Sequence, residues 1–217
     1  MHKPNNLLES DVRDELDWDY RVDDSRIEIK ADDGMIKLTG AVPTLEEAMM
    51  ATDDARSVSG VRDVDNELNV GLLGESIADA DVATACAAAL DRDKFVPKGS
   101  VTATVLNGWV TLTGTVRNHF QRKAAEHAVS RVQGVLGVNN DVSLTDEPIP
   151  SDVVDRINQA LRRNSVVDDS TIQVSNEGHV IYLDGVTNSW AAKQAAEDTA
   201  WSAPGVSEVV DRLMVVV

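Results

Sequence analysis

Asn107-Gly108-Trp109-Val110-Thr111-Leu112-Thr113-Gly114 reads as a tight turn feeding a β-strand, and its design occurs three times in the chain. Asn-Gly is a strong hairpin signal because both residues tolerate positive φ. The alternation that follows sends Val110 and Leu112 to one face of a strand and Trp109 and Thr111 to the other. A copy stands 74 residues earlier, Asp33 to Gly40, and another 71 residues later, Gly178 to Gly185. A repeat with a period of roughly 70 residues constrains the fold before anything else does. In the third copy the turn glycine sits one position early, so its turn geometry is expected to differ.

The flanks repeat as well. Leu8, Val12 and Leu16 align with Val82, Cys86 and Leu90 and with Val153, Ile157 and Leu161. Spacings of four put each trio on one face of an amphipathic helix. Asn6 and Ser151 are placed as N-caps, and Asp79 and Asp81 put negative charge at a helix's positive end. Short strands follow at Ile27–Ile29, Val101–Ala103 and Ile172–Val174, then the glycine turn, then a second strand ending at Gly40, Gly114 or Gly185. Ala51-Ala55-Val58, Ala125-Val129-Val132 and Ala196-Ala200-Ala203 mark the apolar face of a second helix. Gly60, Gly134 and Gly205 read as its αL caps. A last strand carries Leu68 and Val70, Val142 and Leu144, or Leu213 and Val215.

The fold class predicted is α+β: three tandem αββαβ units. Each is a mixed three-stranded sheet with both helices on one face, since the apolar strand positions share one parity. The expected domains are residues 1–72, 73–146 and 147–217. The other face carries Met35, Lys37, Trp109, Thr111, Val180, Tyr182, Met214 and Val216. A half-apolar face of that kind invites a neighbour or a partner. The connector at 71–76 contains glycine and should bend; the one at 145–150 has two prolines and should be stiffer, giving a compact or bent array.

Net charge is −17 and unevenly spread: −10 over residues 1–72, −1 over 73–146 and −6 over 147–217. Such a surface repels phosphate-bearing partners and argues against nucleic acid. It also argues against electrostatic docking on anionic lipid, except through the near-neutral middle unit. No run of 18 apolar residues exists, so no transmembrane helix is expected. The first ten residues lack a signal-peptide core. The chain as given reads as cytoplasmic, and as periplasmic or extracellular if a signal segment was removed.

No reactive constellation emerges. His2, His119, His127 and His179 are scattered and lack ligand spacing. Cys86, the single cysteine, takes a helix position matched by Val12 and Ile157 and reads as a small core side chain. The acidic pairs Asp23-Asp24, Asp32-Asp33, Asp53-Asp54 and Asp168-Asp169 read as solvated charge. Gly34, Gly108 and Gly178 lie between strands rather than before a helix, so they are turn residues and not a phosphate loop. Ser10 and Ser151 lack triad context. No catalytic residue, cofactor or metal site is expected. The aromatics remain: Trp109, Tyr182, Trp190 and Trp201 are the candidate contacts for a protein partner or lipid. Packing between units is the favoured role for the tryptophans.

Gly-x-Val-x-Leu-x-Gly, followed about twenty residues later by Gly-Val-x-x-Val-x-Asn-x-Leu, resembles the BON domain family (bacterial OsmY and nodulation). Gly108–Gly114 with Gly134–Asn140, and Gly60–Leu68, carry the resemblance; the third unit departs, with Asp211 where the family has Asn. The resemblance covers nearly the whole chain three times over. It implies the αββαβ architecture and a non-enzymatic binding protein of the osmotic or general stress response, with chaperone-like action among the family's roles. It also implies two alternatives, a peripheral phospholipid-binding module and a sensor of potassium or another ion. Family members usually act outside the cytoplasmic membrane.

Overall fold

The computed structural model describes residues 3–71, 77–145, 148–167 and 171–216. The connector stretches 72–76 and 146–147, with the bend and stiffness expected of them, lie outside these residues, as do His2 and the pair Asp168-Asp169. The chain divides into two compact units, Met1–Ser143 and Leu144–Val217.

Repeat 1 runs α1 (Asn5–Trp18), β1 (Ile27–Asp32), β2 (Met35–Val42), α2 (Leu45–Ser57) and β3 (Asp63–Val70). Repeat 2 runs α3 (Asp79–Arg92), β4 (Val101–Leu106), β5 (Trp109–Val116), α4 (His119–Ser130) and β6 (Gly137–Leu144). Repeat 3 runs α5 (Val153–Arg163), β7 (Ile172–Glu177), β8 (Val180–Thr187), α6 (Trp190–Trp201) and β9 (Glu208–Val215). Every sheet has its strands in chain order, with the glycine-turn strand central. β1 pairs antiparallel with β2, and β2 parallel with β3; β7, β8 and β9 repeat this. The fold is therefore α+β with three copies of one αββαβ unit.

The aligned helix residues are the core. Leu8, Val12 and Leu16 are buried, as are Val82, Cys86 and Leu90, and Val153, Ile157 and Leu161. Ile36 and Leu38, Val110 and Leu112, and Ile181 and Leu183 meet them from the central strands. Full burial of such a side chain stabilises by roughly 1.5–3 kcal/mol. Cys86 sits among them, and burial pushes its thiol up to about 11. It is a core residue, too weakly acidic to act as a thiolate at neutral pH.

The turns differ as their glycines dictate. Asp33 and Gly34, and Asn107 and Gly108, all have positive φ, the pattern of a type I′ hairpin. In repeat 3 Gly178 has positive φ and His179 does not, which is the type II′ pattern with glycine first.

Four expectations need correction. α1 is capped by Pro4, whose carbonyl accepts from the N–H groups of Leu7 and Leu8, and Asn6 lies inside the helix. α5 has Asp152 rather than Ser151 at its N-cap, and no side-chain bond there. The true side-chain caps are Thr44, Asn118 and Ser189, each accepting from the N–H three residues on. Second, the central strands do not end at Gly40, Gly114 and Gly185 but run two residues further. Those glycines have strongly positive φ, and a Cβ there would collide with the carbonyl oxygen of Arg26, Ser100 or Thr171. Third, Gly60, Gly134 and Gly205 fall three or four residues beyond their helices. They take positive φ inside β-turns, two of which are closed by Val61 N–H to Val58 O and Val135 N–H to Val132 O. Fourth, Asp54 is not a solvated carboxylate. Its Oδ2 is buried without a hydrogen-bond partner. Burial first, and then the negative charge of Asp19, raises its pKa to about 6.

Two side chains tie each of repeats 1 and 2 together. Asp79 at the start of α3 accepts from the backbone N–H groups of Asn107 and Gly108, at 2.7 and 2.9 Å. Asn5 does the same for Asp33 in repeat 1. The Asn of the repeated Gly-Val-x-x-Val-x-Asn motif is the second tie. Asn66 Nδ2 donates to the Ala48 carbonyl and to Thr52 Oγ1, joining β3 to α2. Asn140 Nδ2 donates to the Arg122 carbonyl and to Glu126 Oε2. The motif residue thus fastens a strand to a helix.

Candidate functional site

With both helices of a repeat on one side of its sheet, the other side is open. In repeat 2 that open face is built by alternation: Thr102, Thr104 and Leu106 from β4, Trp109, Thr111 and Thr113 from β5, and Gly137, Asn139 and Asp141 from β6. The register sets Thr102 opposite Thr113, Thr104 opposite Thr111 and Leu106 opposite Trp109. The hydroxyls of Thr102 and Thr113 meet across the strands at 3.0 Å.

Trp109 lies across Gly137. A Cβ built on Gly137 would stand 2.5, 2.7 and 2.8 Å from Cζ3, Cε3 and Cη2 of the indole. Three adjacent ring carbons that are nearly equidistant mean that the point lies over the face of the ring, not beyond its edge. One face of the indole therefore rests on the sheet, and the side chain remains 52% exposed. Repeats 1 and 3 have Asp63 and Glu208 where repeat 2 has Gly137, and Met35 and Val180 in place of the Trp.

At the hairpin end of the same repeat, Leu106 is 71% exposed and Leu136 43%. Leu136 N–H donates to the Gly108 carbonyl at 2.8 Å, which holds Leu136 against the turn. Repeat 1 has Asp32 and Arg62 at these positions, and repeat 3 has Glu177 and Ser207. The apolar tip thus belongs to repeat 2 alone.

The other sequence-derived candidates lie in repeat 3 and do not converge. Tyr182 is on the open face of β8 with the Arg212 guanidinium 5.0 Å from its ring centre. Trp190 starts α6 and carries the Lys193 ammonium 5.4 Å from its ring centre. Trp201 ends the same helix, packs at the margin of its own repeat's core, and donates from Nε1 to Glu197 at 3.4 Å. Eleven residues of helix separate the two positions by roughly 16 Å along its axis.

Three features escaped sequence reasoning. Leu106 and Leu136 reach one hairpin end only when the Leu136 N–H meets the Gly108 carbonyl. Phe95 and Phe120 form an exposed edge-to-face pair, centroids 4.9 Å apart, that no spacing announces. His119 is half-buried against Arg122, and burial, with the charges of Arg122 and Lys123, lowers its pKa to about 4. It is neutral at physiological pH. Among the described residues no cluster of three His, Cys, Asp or Glu side chains is placed to hold a metal ion. Among them, too, no helix is long and apolar enough to cross a membrane.

Comparison with known proteins follows this architecture. Osmotically-inducible protein Y of Escherichia coli (strain K12) is 31% identical over 121 residues, 54% of this chain and 60% of that protein. The match thus spans less than two thirds of the relative's length. Two solved structures of CdsD, a structural protein of the type III secretion system of Chlamydia trachomatis, align over 97% and 99% of this chain and 92% and 100% of theirs. Their identities are 15% and 14% and the TM-score is 0.27 in both, values that carry no argument. The BON domain model matches residues 5–71, 78–146 and 151–216. With three matches over most of its length, each on one αββαβ unit, the chain belongs to the BON domain family.

Proposed function

We propose that this chain is a non-catalytic binding protein of the osmotic or general stress response, with domains at 1–72, 73–146 and 147–217. Family membership and the osmotically inducible relative support the physiological setting. One observation carries the binding role. The inner faces of the three repeats are kept alike, while the open faces have diverged: charged in repeat 1, hydroxyl-rich with one indole in repeat 2, mixed in repeat 3. Faces that did nothing but meet water would need no flat tryptophan. The test is growth after an osmotic upshift in a deletion strain of the source organism. Wild-type protein restores growth, and the folded variant Thr104→Lys/Thr111→Lys does not. Equal rescue by both would contradict the reading.

A second reading is favoured by a specific feature, the exposed trio Leu106, Trp109 and Leu136 in the repeat of near-zero net charge. Such a tip suits the interface of a phospholipid bilayer. Flotation with zwitterionic vesicles, abolished by Leu106→Ser/Leu136→Ser, is the expected result of that reading. No flotation would remove it.

A further inference from the structure

The open face of repeat 2 is more specific than an apolar tip. Its indole does not project from the surface, as an inserting side chain would. It lies face-down on Gly137 and offers its other face outward, a flat platform fixed by the sheet. Beside it stands a field of hydroxyls, Thr102, Thr104, Thr111 and Thr113, in register across two strands. Asn139 borders them, and Asp141 is the single charge on this face of the three strands. The corresponding face of repeat 1 carries Glu28, Lys30, Lys37, Asp65 and Glu67.

We infer that this face binds a neutral, β-linked pyranose chain, with Trp109 as the stacking platform; the inference rests on the reading of the chain as a binding protein. The match is chemical. A β-linked glucose-type ring has equatorial substituents, so both its faces are sheets of axial C–H groups. These are weakly positive and fit the negative face of an indole. The ring's rim carries hydroxyls that both donate and accept, which is also the capacity of a threonine hydroxyl. A row of threonines can therefore satisfy a sugar edge without burying any charge, whereas the charged face of repeat 1 would have to strip ions of water. Gly137 is what makes the platform: any side chain there would push the indole off the sheet. Repeats 1 and 3 have such side chains and lack the ring.

The test is amide and indole NMR on the full isotopically labelled chain, titrated separately with cellohexaose, chitohexaose and phosphatidylcholine vesicles. The expected result is saturable shifts with a hexasaccharide confined to residues 102–115 and 137–143. Trp109→Ala should weaken binding by about tenfold or more, Trp109→Phe by less, and Gly137→Val should weaken it by displacing the indole although it removes no sugar-facing group. No shift with either sugar at about 10 mM, where a millimolar complex would be near saturation, overturns the inference. Shifts elsewhere, or full binding by Trp109→Ala, overturn it as well. Trp109-dependent association with vesicles and silence toward both sugars overturns it in favour of the lipid reading. Loss of the sugar result with intact dependence of osmotic rescue on Thr104 and Thr111 would remove the ligand class and leave the binding role standing.

Discussion

Lys193 reaches Asp211 across repeat 3, Nζ to Oδ2 at 3.0 Å, and also donates to the Leu213 carbonyl at 2.6 Å. These two positions correspond to Ala48 and Asn66 in repeat 1 and to Arg122 and Asn140 in repeat 2. There the asparagine amide donates to the helix carbonyl. An aspartate has no such donor, so the helix supplies a lysine instead. The helix-to-strand tie survives with its polarity reversed.

Lys193→Ala should therefore destabilise repeat 3 by about 1–3 kcal/mol, because the largely buried Asp211 carboxylate loses its cation and keeps only the Leu213 N–H. Adding Asp211→Asn restores a donor and should recover most of the loss. Denaturant unfolding of the two single variants and the double variant measures this coupling. Additive losses would contradict it.

Asp79 serves the hairpin more than the helix dipole. Asp79→Ala removes the acceptor from two backbone N–H groups and should cost about 1–3 kcal/mol. Asn5→Ala removes one longer, neutral bond of 3.2 Å and should cost less. Hydrogen exchange at Asn107 and Gly108 should quicken in the first variant only.

Gly185→Ala and Gly178→Ala separate two roles of glycine. At Gly185 a methyl would meet the backbone carbonyl of Thr171, and at Gly178 it meets nothing within 4 Å. The first should cost more than about 4 kcal/mol and unfold repeat 3. The second should cost about 1–2 kcal/mol, for the positive φ alone. Circular dichroism melting distinguishes them.

Asp54 holds its proton more tightly in the folded chain than in the unfolded one, where its pKa is near 3.8. Between that value and about 6, folding takes up a proton. The contribution is thus fully stabilising below pH 3.8 and is lost as pH rises through 6. Asp54→Asn should stabilise at pH 8 by on the order of 1 kcal/mol, a figure reduced for its partial exposure, and by nothing at pH 3.5. Equal gains at both pH values would contradict the assignment.

How far the sequence could be read depended on what kind of interaction decided each feature. Leu16, Leu90 and Leu161 were legible because periodicity alone sends them inward. That the turn at Gly178 would differ was legible because moving the glycine to the first turn position moves the one freely adopted positive φ with it. Ser151 misled because a capping residue is recognised only relative to a helix start, and α5 starts at Val153 with Asp152 at its N-cap. Gly114 misled because a glycine inside a strand and one at its end look the same until the Ser100 carbonyl is seen above it. Asp54 was misread because its burial, and its closeness to the charge of Asp19, 35 positions away, arise only in the folded chain. Trp109 was placed on the right face, but its orientation comes from Gly137, a residue on another strand.

Interior residues that hold each repeat together, and open faces left for contact, make the central claim. Its most direct measurement is the unfolding free energy of Leu90→Ala beside that of Trp109→Ala, with amide exchange resolved by repeat. The predicted costs are about 3–5 kcal/mol for the leucine and under about 1 kcal/mol for the tryptophan. A tryptophan variant as damaging as the leucine variant would make Trp109 a core residue and contradict the account.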